Sequence, residues 1–179
     1  MKTTAQKVDF SMPDFPAATA ARQFPVAVLV EYQAIHDNRW IDGRWAVTGV
    51  VAGEQLADDG IHSKLIHSDA EVQQYLWSGF VIELHRDDAE SYYCNLMSDH
   101  PSVFIICNEE QGESLQPLIV TLSYGEATSY METDVRVERV EMPAELYRSL
   151  EQYVLANYVP EKRKKRKRED WKEAGRGRR

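Results

Sequence analysis

The feature that most constrains this chain is a series of short apolar segments with a period of two. Val26, Val28, Val30 and Tyr32 alternate with Ala27, Leu29, Glu31 and Gln33, the pattern of a β-strand. Trp45–Ala52 predicts a second strand, reached across the turn dipeptide Asp42-Gly43. Lys64–His67, Phe80–Arg86, Val103–Cys107, Leu118–Leu122 and Val135–Val140 predict five more. Val103–Cys107 is apolar on both faces, which makes it the candidate central strand.

Helical spacing is confined to three places. Asp87 or Asp88 can cap a helix through Met97 with Tyr92 and Leu96 on its apolar side. A short helix is expected around Glu126–Met131. Pro143 suits a first helical position, and Leu146, Leu150, Tyr153, Val154 and Asn157 then mark one buried face. Asp69–Tyr75 is ambiguous, since Ser68 with Glu71 can cap a helical turn there. Short connections between strands and late helices define an α+β class. The expectation is a mostly antiparallel sheet of six to seven short strands with two to three helices, the last followed by a basic tail. A doubly wound α/β fold is the alternative, but strands and long helices do not alternate regularly.

Charge divides the chain further. Residues 161–179 hold 11 Lys+Arg against 4 Asp+Glu, and the other 160 residues hold 10 against 25. An acidic body thus carries a basic end. The expected organisation is a flexible arm over residues 1–23, one domain over 24–160 and a disordered basic tail over 161–179. A domain of roughly 150 residues buries about 70% of its unfolded surface, so neither disulfide nor metal is needed to hold it. Two cysteines, Cys94 and Cys107, are too few for a disulfide framework, and both read as small buried thiols. No apolar run approaches the roughly 20 residues of a membrane span, and the N-terminal stretch lacks the apolar core of a signal peptide. The expected location is the cytoplasm.

Motifs for chemistry are missing. No Gly-rich phosphate loop follows a strand, no nucleophile elbow occurs, and His36, His62, His67, His85 and His100 have no metal-ligand spacing. No catalytic residue, metal or cofactor is assigned. Cys94 with Asp99 and His100 can be written as a triad, but a thiol mid-helix lacks the stabilisation a thiolate needs. The candidate partner-binding residues are therefore of two kinds. Trp40 and Trp45 bracket a turn, where tryptophan serves as a binding anchor, although Trp45 also suits the core. Lys162, Arg163, Lys164, Lys165, Arg166, Lys167 and Arg168 form an unbroken basic run that suits an acidic protein partner, RNA, anionic lipid or the chain's own acidic body. The acidic body argues against nucleic acid as the tail's target.

Six segments carry a family resemblance: F-P-V-A-V-L-V-E, W-I-D-G-R-W-A-V-T-G-V-V-A-G, L-H-R-D-D-A-E-S-Y-Y-C-N-L, H-P-S-V-F-I-I, V-E-M-P-A-E-L and K-R-K-K-R-K-R. In that order and spacing the chain resembles the proteobacterial domain-of-unknown-function family 3305, from about Phe24 to Arg168. The resemblance implies a setting near molybdenum-dependent formate dehydrogenase. It also brings a label of molybdopterin-guanine dinucleotide biosynthesis. A nucleotidyltransferase of that kind needs a Gly-rich loop, and Glu31-Tyr32-Gln33-Ala34-Ile35 after Val30 contains no glycine. Three functions stand as expectations: a non-catalytic accessory protein for molybdenum-enzyme assembly, a nucleotidyltransferase-like enzyme, and a nucleic-acid binder acting through its tail.

Overall fold

The computed structural model describes residues 22–37, 40–57, 60–110, 114–133 and 135–159. The expected tail lies outside the described residues, as does nearly all of the expected arm. Among the described residues the order is β1 (Gln23–Ala34), β2 (Gly43–Ala52), β3 (His62–Ser68), β4 (Val72–Glu83), α1 (Ala89–Leu96), β5 (Ser102–Glu110), β6 (Ser114–Thr121), α2 (Tyr124–Met131), β7 (Arg136–Glu141) and α3 (Ala144–Asn157). All strand pairs are antiparallel, and the fold is α+β. The strands divide into a four-stranded sheet, β2-β1-β4-β3, and a three-stranded sheet, β6-β5-β7. β2 lies beside β7 and β4 beside β6, so the two sheets close on a shared interior.

The central strands are the most apolar ones. In β1, Val26, Ala27 and Val28 are fully buried, and β5 buries Val103 through Cys107 on both faces. Pro117 has no N–H to give a second neighbour and sits in β6, at the edge of its sheet. α3 adds Leu146, Leu150, Tyr153 and Val154, the stripe that its spacing predicts. Each such side chain contributes about 1.5–3 kcal/mol on burial. Tyr92 of α1 meets Tyr153 edge to face with centroids 6.1 Å apart. Tyr153 donates its hydroxyl proton to the Leu84 carbonyl, and the Tyr92 hydroxyl accepts from His85 N–H.

Two polar devices join the layers. Asn95, only 1% exposed, donates to the Ser102 carbonyl at 2.8 Å and the Leu122 carbonyl at 2.9 Å, and accepts from Ser102 N–H at 3.0 Å. One side chain thus fastens α1 to the start of β5 and the end of β6. Arg136 donates to the Trp45 carbonyl at 2.8 Å and pairs with Glu109 and Glu138 at 2.8 and 2.6 Å, which ties β7 to β2. Burial opposes its charge, but the two carboxylates prevail and raise its pKa above the ordinary value.

One local ambiguity is resolved and one local expectation is corrected. Residues 69–75 do not start a helix. Asp69, not Ser68, caps the turn, its Oδ1 accepting from the N–H groups of Glu71 and Val72, and β4 begins at Val72. Val72–Trp77 lies between β1 and β3, and two ladders of backbone hydrogen bonds outweigh one capping signal. Cys94 is exposed. The inward stripe of α1 is Ala89, Tyr92 and Asn95, which places Cys94 on the outer side. Cys107 is buried, and desolvation pushes its thiol up to about 12, so it stays protonated and inert.

Gly79 marks a bulge in β4, where the pairing to β1 shifts between Val26 and Val28. Its φ is +89°, and a Cβ there would stand 2.0 Å from the Gly60 carbonyl oxygen. Gly79→Ala should therefore cost about 1–3 kcal/mol in backbone strain, and displacement of Gly60 adds to that. Thermal melting reads the loss; an unchanged midpoint would show that the bulge tolerates a side chain.

Candidate functional site

The β3–β4 hairpin presents the least covered regular structure among the described residues. All seven residues of β3 are exposed, because β3 is the outermost strand of its sheet and pairs with β4 alone. An unpaired edge leaves a row of N–H and C=O groups able to take another strand. Leu65 and Ile66 are 49% and 47% exposed, and Ile61 just before the strand is 51% exposed. Apolar side chains thus flank the open backbone. The pairing shifts between Leu65 and His67, so Ile66 sits in a bulge, a device that adds twist to an edge.

The turn at the hairpin tip is held by charge. Asp69 accepts the two backbone N–H groups, and His67 Nε2 lies 3.0 Å from its Oδ2. The Glu71 N–H first, and the His67 ring and Val72 N–H after it, hold the Asp69 carboxyl down from 3.8 to about 2. Since the folded value is depressed, the turn's contribution is fully present above 3.8 and is lost as pH falls through about 2. An NMR titration should show the Glu71 and Val72 amides shifting together near pH 2. A midpoint at the ordinary Asp value would contradict the capping role.

The sequence candidates take three different positions. Trp40 lies between β1 and β2 and is 92% exposed, beside half-exposed Ile41. Trp45 is on β2, partly buried against the core. Its ring lies 5.0 Å from Tyr32 and 5.7 Å from Tyr75, centroid to centroid. Its buried indole N–H meets no acceptor among the described residues. Lys162–Arg168 lie outside the described residues.

Two clefts were not legible in the sequence. One, of about 580 Å³, opens between the end of β4, α1, the end of β6 and α2; Glu83, His85, Asp88, Tyr92 and Glu126 line it. Burial above all, with Asp88 and Glu126 adding, pushes Tyr92 up to about 12, so this phenol remains protonated and cannot serve as a base near neutral pH. The other, of about 670 Å³, opens between the start of β5, the end of β7 and the start of α3; His100, Ser102, Arg139, Met142, Tyr147 and Arg148 line it. Its residues come from distant parts of the chain, and no local motif announces them. Among the described residues no group of three or more His, Cys, Asp or Glu side chains is placed to hold a metal ion, and no helix is long and apolar enough to cross a membrane.

The fold and its surfaces define an α+β domain of two antiparallel sheets in which one terminal strand, β3, is exposed at every residue. The family described as Protein of unknown function (DUF3305) matches residues 25–168, and the chain belongs to it. No curated protein and no solved structure matches the chain.

Proposed function

We propose that this protein is a non-catalytic accessory protein that works by binding other proteins, and that β3 is its contact strand. The carrying observation is that β3 is exposed over its whole length while apolar side chains flank its backbone. A partner segment in extended conformation adds to such an edge as a further strand. Main-chain hydrogen bonds then supply affinity, and Leu65 and Ile66 supply selectivity. The resemblance to family 3305 suggests the setting, which is assembly or maturation of a molybdenum enzyme such as formate dehydrogenase in the cytoplasm. The basic run Lys162–Arg168 would add long-range attraction to an acidic partner, and that part of the affinity should fall with added salt.

Site-specific photocrosslinking in native cells tests this reading. A photoreactive side chain in place of Ile66 should give one dominant adduct, mapping to a single extended segment of one partner. The same group in place of Leu155, exposed on α3, should not. Equal or scattered labelling from both positions would overturn the assignment of β3.

A further inference from the structure

The two arginines of β7 meet opposite surroundings. Arg136 is neutralised by Glu109 and Glu138. Arg139, three residues on, is held only by uncharged oxygens. Its Nε donates to Ser102 Oγ at 2.9 Å and its Nη2 to the His100 carbonyl at 3.2 Å. Ser102 Oγ in turn donates to the same carbonyl at 2.6 Å. Ser102 is 3% exposed, and its backbone is fixed on both sides by Asn95. The guanidinium is therefore oriented by the rigid start of β5. Its Nη1 hydrogens and one on Nη2 remain without an acceptor among the described residues. No carboxylate among those residues pairs with Arg139 or with Arg148, although both arginines line the 670 Å³ cleft.

An oriented fork with no directly paired carboxylate in a concave site is the arrangement that recognises planar or tetrahedral oxyanions. The cleft has the volume of a small-molecule site. Buried Met142 and partly buried Tyr147 give it an apolar wall. Asp99 and Glu141 line the same cleft, which disfavours a polyanion and suits a ligand with a single charged group. We propose that this cleft binds a small organic oxyanion, a carboxylate or a phosphate monoester, with its charged group on Arg139 and Arg148 and its apolar body on Met142 and Tyr147. The site is separate from the β3 edge and does not depend on the function assigned to it.

Calorimetry and NMR titration of the full chain with phenyl phosphate, benzoate and phenol test the proposal. The expected result is saturable binding of phenyl phosphate, benzoate or both, with amide shifts at Ser102, Tyr147 and Arg148, weakened by added salt. Which of the two binds identifies the charged group. Arg148→Gln should weaken binding about tenfold or more, and Arg139→Gln at least as much. Arg148 is exposed, so its variant should fold normally even if Arg139→Gln does not. The proposal is overturned if neither anion saturates by tens of millimolar, if phenol binds as well as the anions, or if Arg148→Gln binds them unchanged.

Discussion

Asn95→Ala should cost roughly 3–5 kcal/mol of folding stability and lower the melting midpoint by about 10 °C or more. The side chain makes three hydrogen bonds in a site 1% exposed. Truncation leaves Ser102 N–H, the Ser102 carbonyl and the Leu122 carbonyl without that partner, and each buried group left unsatisfied costs about 1–3 kcal/mol. The groups share one partner, so the losses do not simply add. Asn95→Leu should not recover the loss, because volume is not what the site lacks. Asn95→Asp should be strongly destabilised at neutral pH, where a carboxylate would face two carbonyl oxygens. Its deficit should shrink as pH falls, because protonation restores one donor. Melting of the three variants across pH reads all of this, and an Asn95→Ala midpoint within about 2 °C of wild type would contradict the network's role.

Trp45→Ala should be the other severe variant, at roughly 3–5 kcal/mol. The indole packs against the core and between Tyr32 and Tyr75, and aromatic pairs of this kind contribute about 0.5–1.5 kcal/mol beyond buried area. The backbone bond from Arg136 to the Trp45 carbonyl survives the truncation, so the loss reports the ring alone. Trp45→Phe should cost less than about 2 kcal/mol, since it keeps an aromatic face between the tyrosines and removes an N–H that has no acceptor among the described residues. If Trp45 is instead a partner anchor, Trp45→Ala will melt within a few degrees of wild type and lose partner binding.

Elements whose identity depends on their own residues could be read directly. α3 is announced by Pro143 and by Leu146, Leu150, Tyr153 and Val154 at helical spacing. β5 is announced as a central strand because both faces are apolar. Elements that depend on neighbours could not be read this way. Val72–Trp77 has no clean period, and only the strands on either side of it make it the first half of β4. The phase of α1 was obscured because its inward stripe includes a polar residue, Asn95, whose partners at Ser102 and Leu122 lie in other elements. Leu65-Ile66 indicates a strand in sequence, but its exposure follows from sheet order, which no local pattern encodes. The arginine cleft is the extreme case: Arg139 and Ser102 are 37 positions apart, and antiparallel pairing of β5 with β7 brings them together.

The central claim is that β3 receives an extended strand from a partner, and amide hydrogen exchange of the bound and free protein tests it most directly. With the partner recovered by crosslinking at Ile66, the account predicts that amides of His62–Ser68 pointing away from β4 become strongly protected. Amides of α3 should keep their free-state rates. Unchanged exchange along β3 in a saturated complex, with protection appearing elsewhere, would contradict it.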